Sequence, residues 1–211
     1  MVEYTPPYAE YEFLFNEVFD VFNSVSGIDH EEFDADFVRM IMEGWGEYCT
    51  EVLLPLNEIG DREGLTFEAG EVTMPKGFVD AWKEGVEAGW YAAICKPEHG
   101  GMGLPHVFRN AMDEVAISTN MALSVVPALG LGVYDLVTGH GTNELIDHYS
   151  ANLATGLWCG TMCLTEPHAG TDLGLIRTKA IPQKDGTYRV TGTKIFITAG
   201  EHDLSDNIVH M

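Results

Sequence analysis

The sequence predicts a mainly α chain: a helical bundle up to about residue 156, then the first strands of a β unit. Three observations predict it. Apolar residues recur every third or fourth position through most of the chain. At about residue 156 the texture switches to short stretches rich in Ile, Thr, Val and aromatic residues. Between two such stretches stands Asp185-Gly186, a dipeptide that favours a hairpin turn.

The helices come in order. Tyr11, Leu14, Phe15, Val18, Phe19 and Phe22 fall on one helix face, bounded by Pro6-Pro7 before and Ser26-Gly27 after. Phe33, Phe37, Ile41, Trp45, Tyr48 and Val52 form a second stripe, which Pro55 is expected to stop. Phe78, Trp82, Val86 and Trp90 recur every fourth residue behind Pro75, a good first-turn residue. Aromatic stripes of this kind are read as core. His99-Gly100-Gly101-Met102-Gly103-Leu104-Pro105 lacks the Gly-Lys-Ser/Thr ending of a phosphate-binding loop and reads as a tight turn ahead of a helix. Val107, Phe108, Ala111, Met112 and Val115 make the next stripe, and residues 121–138 are apolar over most faces, as in a buried helix. Thr142 is the expected N-cap of a last helix ending near Gly156.

The β part begins with the apolar run Trp158 to Leu164. Leu175–Ile181 and Tyr188–Thr198 read as strands around the Asp185-Gly186 turn, and Asn207 to Met211 as another strand. Two or three strands with bare edges invite aggregation, so the β unit is expected to continue in the intact protein.

Composition excludes several functions. The net charge is −22, with −17 in residues 1–100 and −5 in residues 101–211. Nucleic acid is not expected as a partner, since phosphate neutralisation needs clustered Lys and Arg, and neither is an anionic membrane surface. A polyanionic ligand would have to be held by local donors. No unbroken run of 18 apolar residues exists, so membrane insertion is not expected. The N-terminus has no signal-peptide pattern, and Cys49, Cys95, Cys159 and Cys163 contain no C-x-x-C pair; a cytoplasmic location fits. Cys159, Cys163 and His168 lack the spacing of a zinc site, so no metal is expected. Cys159 and Cys163 read as two small buried thiols on one strand face.

The chemistry rests on two segments. Met162-Cys163-Leu164-Thr165-Glu166-Pro167-His168-Ala169-Gly170-Thr171-Asp172 ends a strand and turns, with Pro167 blocking further pairing. Thr165 offers a hydroxyl and a backbone N–H, Thr171 a second hydroxyl, and Ala169-Gly170 removes bulk. Asp172 is expected to cap the turn. In Lys194-Ile195-Phe196-Ile197-Thr198, strand alternation would put Lys194, Phe196 and Thr198 on one face. Donors at one edge and an aromatic ring on a face suit a flat heterocycle.

These segments resemble the T-E-P-x-A-G-[ST]-D turn and the aromatic-Ile-Thr strand of acyl-CoA dehydrogenases, which hold the isoalloxazine of FAD. The Gly-Gly-x-Gly-x-Pro turn at Gly100–Pro105 is similar too. The resemblance implies an N-terminal helical extension (1–34), an N-terminal helical domain (35–156) and an incomplete, β-barrel-like middle domain (157–211). The extension, with Tyr11-Glu12-Phe13-Leu14-Phe15-Asn16-Glu17-Val18, is similar to that of a longer subgroup that includes 3-methylmercaptopropionyl-CoA dehydrogenases. It implies Met162, Cys163, Leu164, Thr165, Thr171, Phe196, Ile197 and Thr198 as flavin contacts, with Thr171 also toward substrate. Phe196 stands where many members have Trp, and Thr171 where most have Ser.

The implied reaction is α,β-dehydrogenation of a saturated acyl-CoA to the trans-2-enoyl-CoA. An electron-transfer partner and a homo-oligomer of the intact protein are also implied. The family's base is a Glu of a C-terminal helical domain, so no catalytic residue is assigned within these 211 residues. Glu166 is read as structural, His168 as facing solvent, and the chain as a truncated, inactive piece. The competing readings are an acyl-CoA oxidase-like flavoenzyme and a non-enzymatic helical interaction module.

Overall fold

The computed structural model describes residues 3–25 and 33–211. Helix α1 (Tyr8–Phe13) runs into a wider π-type segment, Leu14–Val18, and the chain then turns at Asp20 into α2 (Val21–Ser24). The single stripe expected over Tyr11–Phe22 is therefore split. Asp20 takes a left-handed φ of 45°, and its carboxylate accepts from Asn23 Nδ2 at 2.7 Å. The expected Ser26-Gly27 boundary lies outside the described residues.

Helix α3 (Ala35–Tyr48) starts at Asp34, whose Oδ1 accepts from Phe37 N at 2.8 Å. Pro55 does not stop the helix. A π-type segment, Cys49–Leu53, leads directly into α4 (Leu54–Glu63), with Pro55 in its first turn. A proline there has no N–H to lose, and the wider spacing before it relieves its ring of the preceding carbonyls. Strands β1 (Thr66–Glu68) and β2 (Glu71–Thr73) form a small antiparallel hairpin that sequence patterning did not reveal. Its turn residues Ala69 and Gly70 both have positive φ, 54° and 95°.

Helix α5 (Phe78–Glu87) ends one turn short of the expected stripe, so Trp90 sits in a 3₁₀ turn, Trp90–Ala92. Trp82 stacks on Tyr91 at 4.4 Å and donates through Nε1 to the Gly156 carbonyl at 3.2 Å. The glycine-rich loop is the expected turn. The N–H groups of Gly101, Gly103 and Leu104 donate to the carbonyls of Lys96, Cys95 and Ala93, which leaves none of the three for a phosphate. A Cβ at Gly101 would lie 1.9 Å from the Cys95 oxygen, so only glycine fits.

Helix α6 (His106–His140) is the central element. It buries Phe108, Met112, Val115, Leu123, Val126 and Val133 against the other helices and the first strand of the β part. Each such side chain contributes about 1.5–3 kcal/mol on burial. By length and composition alone α6 could cross a membrane, although the sequence lacks an unbroken apolar run. It breaks at Asn120 (φ −154°, ψ 86°), which is fully buried; its Nδ2 donates to the Leu53 carbonyl and its Oδ1 accepts from Leu123 N, both at 3.1 Å. Asn120 therefore acts as an internal N-cap that restarts the helix. Helix α7 (Asn143–Thr155) is capped by Thr142 and closed by Gly156 at φ 81°, as its end residues predict.

Beyond α7, β3 (Trp158–Thr161) pairs in parallel with β6 (Asn207–His210), and β4 (Lys179–Pro182) pairs antiparallel with β5 (Tyr188–Thr191). The β4–β5 turn contains Asp185, whose Oδ1 accepts from Thr187 N and Oγ1, and Gly186 at φ 86°. The architecture is mainly helical with a few short strands, as expected.

Candidate functional site

Strand β3 ends at Thr161, three residues earlier than the apolar run suggested. The turn that follows is built around Glu166. Its N–H and carbonyl pair with Ala169 at 2.9 and 3.0 Å. Its side chain is 3% exposed and fully engaged. Oε2 accepts from Arg177 N at 2.8 Å, and Oε1 from Thr178 N at 2.9 Å, from the Thr178 hydroxyl, and from Lys194 Nζ at 3.0 Å. These bonds, the Thr178 hydroxyl first and the Arg177 N–H next, hold the carboxyl far below the usual carboxylate range. All of these bonds serve the turn, and a carboxylate so held is a poor proton acceptor.

The same cluster joins the two sequence segments. Ile195 N donates to the Thr165 carbonyl at 2.9 Å, and Lys194 Nζ donates to the Leu164 carbonyl at 2.9 Å. The expected strand over Lys194–Thr198 is not formed. Strand β5 stops at Thr191, and Phe196 takes a left-handed φ of 57°, followed by Ala199 at 54°. Lys194 turns inward to the buried carboxylate while the Phe196 ring is 88% exposed. Strand alternation is thus replaced by one inward anchor and one outward ring.

The remaining sequence-nominated residues lie along these joined segments of the chain. Thr165, Leu164 and Ile197 are half-buried; Met162, Thr171 and Thr198 are exposed. Among the described residues, the hydroxyls of Thr165, Thr171 and Thr198 and the N–H of Thr165 make no protein hydrogen bond. Free donors and an uncovered aromatic ring fit, in kind, a flat ligand with acceptors along one edge. Ala169 is buried, so its small size serves the turn's packing and not ligand approach. Asp172 caps the turn, its Oδ1 accepting from Gly174 N at 3.1 Å. His168 is exposed, as expected, and its Nε2 also lies 3.1 Å from the Leu175 carbonyl and 3.5 Å from Glu166 Oε2. Cys163 is not buried alongside Cys159, because β3 ends before alternation reaches it.

Comparison with known proteins locates this arrangement. No family model matches the chain. It is 45% identical over 182 residues to the 3-methylmercaptopropionyl-CoA dehydrogenase of Ruegeria pomeroyi, covering 86% of this chain and 31% of that protein. The chain belongs to the acyl-CoA dehydrogenase family. It matches the N-terminal portion of that family and spans about a third of the length of the curated relatives it matches. Its fold is similar to that of butyryl-CoA dehydrogenase from Megasphaera elsdenii, with TM-score 0.67 and 22% identity over 82% of this chain and 43% of that one. It is also similar to an acyl-CoA dehydrogenase from Bacillus anthracis in complex with FAD, with TM-score 0.63 and 24% identity over 81% of this chain and 28% of that one.

Two features of this acyl-CoA dehydrogenase family chain were not read from the sequence. One is the Lys194–Glu166 anchor, whose partners lie 28 residues apart and carry no local signature. The other is a basic segment. Arg177, Lys179, Lys184, Arg189 and Lys194 lie within residues 177–194, where Asp185 is the sole acid, although the whole chain carries −22. The first four are exposed on or beside the β4–β5 hairpin.

Proposed function

We propose that the protein containing this chain oxidises a saturated acyl-CoA thioester to the trans-2-enoyl-CoA with FAD, and that residues 157–211 supply one wall of its flavin site, next to a helical unit at 35–156. The observation that carries the reading is the bond from Ile195 N to the Thr165 carbonyl, which brings both flavin-type segments together. Bound FAD would supply hydride acceptance from the β-carbon of the acyl chain. Thr165 would offer its N–H and hydroxyl to the flavin's acceptor edge, where they would stabilise negative charge. Phe196, Met162, Cys163, Leu164 and Ile197 would hold the ring, and Thr198 would add a hydroxyl donor. The left-handed backbone at Phe196 supports a functional role, since such conformations persist where surrounding structure imposes them.

Thr171 donates toward the substrate. The exposed basic hairpin gives a polyanionic CoA local cations within an acidic chain. Glu166 holds the site together and abstracts no proton. An electron-transferring partner then reoxidises the enzyme, which works as a homo-oligomer.

Residues 1–211 alone are proposed to bind FAD weakly or not at all and to turn over no acyl-CoA. Half a cleft forfeits most of the apolar burial that drives binding. The whole protein should be yellow when purified and, with an artificial electron acceptor, should convert saturated acyl-CoA to an enoyl thioester identified by mass spectrometry. A colourless, inactive whole protein would overturn the reading. Sustained turnover by residues 1–211 would overturn the assignment of Glu166.

A further inference from the structure

All four cysteines are free thiols. Burial pushes Cys49 and Cys95 up to about 12 and Cys159 to about 11, so these three are poor nucleophiles. Cys163 differs in exposure and in its neighbours. Its Sγ lies 3.5 Å from Thr161 Oγ1 and 3.8 Å from His210 Nδ1, and that Oγ1 lies 2.7 Å from the same Nδ1.

The fold dictates this arrangement. Thr161 and His210 are paired positions in the β3–β6 register. Just past the strands, Met211 N donates to the Thr161 carbonyl at 3.0 Å and Cys163 N donates to the Met211 carbonyl at 2.6 Å, which holds the thiol over the pair. Thr161 is fully buried, with these two side chains as its hydroxyl's partners, while His210 opens to solvent. One polarity satisfies all three groups: the thiol donates to Oγ1, and the hydroxyl donates to Nδ1.

We propose that Cys163, Thr161 and His210 form a proton relay that makes Cys163 a nucleophile toward soft carbon electrophiles of the α,β-unsaturated carbonyl class. The thiol proton passes to Thr161 Oγ1 as the hydroxyl proton passes to His210 Nδ1. Sγ bonds to the electrophile's β-carbon, and the alkene electron pair moves onto the carbonyl as an enolate. The imidazolium returns its proton through water to the α-carbon. A thioether forms, nothing leaves, and no oxidant or reductant is needed. The relay is built by β3, β6 and Met211 and needs no bound flavin, although the same thiol borders the ring in the function proposed above.

The probe is N-ethylmaleimide on the folded chain, with adducts located by peptide mass spectrometry. Cys163 should be labelled first, about 10-fold or more faster at neutral pH than in H210Q or T161V. T161S, which keeps the hydroxyl, should restore the rate. The ratio of the wild-type rate to the H210Q rate should vary with pH, whereas a thiol without a relay would keep that ratio near one. His210 is exposed, so H210Q tests the relay without disturbing the core. Equal rates and pH profiles for wild type and H210Q would reduce Cys163 to a merely accessible thiol and overturn the proposal. So would first labelling at Cys49, Cys95 or Cys159.

Discussion

Lys194 Nζ lies 3.0 Å from Glu166 Oε1, and this ion pair ties together two segments that are 28 residues apart in sequence. The ammonium is 20% exposed and the carboxylate 3%, so the pair is shielded on one side and open on the other. Around it the Arg177 and Thr178 amides are also held. Removing the carboxylate should release all of these donors together.

Glu166→Ala is expected to free the Arg177 and Thr178 amides. Their hydrogen exchange should accelerate by about 10-fold or more, while the α6 amides keep their protection. Glu166→Gln retains an acceptor oxygen and should fall between wild type and Ala. Unchanged exchange in the Ala variant would show that the carboxylate does not organise the turn.

Asn120→Ala removes an acceptor for Leu123 N and a donor to the Leu53 carbonyl, both inside the core. The expected loss is about 1–3 kcal/mol in urea unfolding, because a buried backbone group is left unpaired. Asn120→Asp should cost more, since it replaces the donor with a charge facing a carbonyl. A loss below measurement error in both variants would mean that the helix closes over the break.

His202 sets a pH dependence. The ring is 5% exposed, its Nδ1 accepts from Leu204 N, and among the described residues its buried Nε2 has no partner. Burial pushes its pKa below the usual 6.5, although Glu201 and Asp203 pull the other way. The unfolded chain therefore binds this proton more readily than the folded one. Stability should be fully present above about pH 6.5, fall as the pH drops below it, and level off once the folded ring is also charged. His202→Gln should flatten that slope in thermal melts between about pH 7 and pH 5.

Phe196→Gly separates ligand contact from stability. The ring is exposed and the backbone is left-handed, so glycine suits the local conformation. The unfolding midpoint should stay within the effect of about 1 kcal/mol expected for such a change, whereas flavin retention by the whole protein should drop. A loss of about 3–5 kcal/mol, typical of a deleted core aromatic, would place the ring in packing instead.

The sequence was most legible where the signal is local. Thr142 and Gly156 bracket α7, and Asp185-Gly186 makes the β4–β5 turn, because caps and tight turns depend on neighbouring residues. It misled where distant groups decide. Lys194-Ile195-Phe196-Ile197-Thr198 alternates like a strand, yet Glu166 draws Lys194 inward and the backbone inverts at Phe196. Pro55 looked like a stop because a π-type segment has no reliable sequence signature. Asn120, within a long apolar stretch, gave no hint that its amide replaces a turn of helix. In the candidate site, the chemical types of the donors and the meeting of their two segments were legible, but the Thr165–Ile195 backbone bond and the Lys194–Glu166 pair that join those segments were not.

The β3–β6 pairing carries a kinetic consequence. Its register joins Thr161 to His210, 49 residues later, with the whole β4–β5 hairpin lying between. Closing so large a loop costs entropy before any ladder bond forms, whereas turns of α3, α5 and α7 close within a few residues. In a refolding experiment, helical circular dichroism should therefore recover first. The Cys163 thiol, positioned by the late pairing of these strands, should acquire its native reactivity in a separate and slower phase.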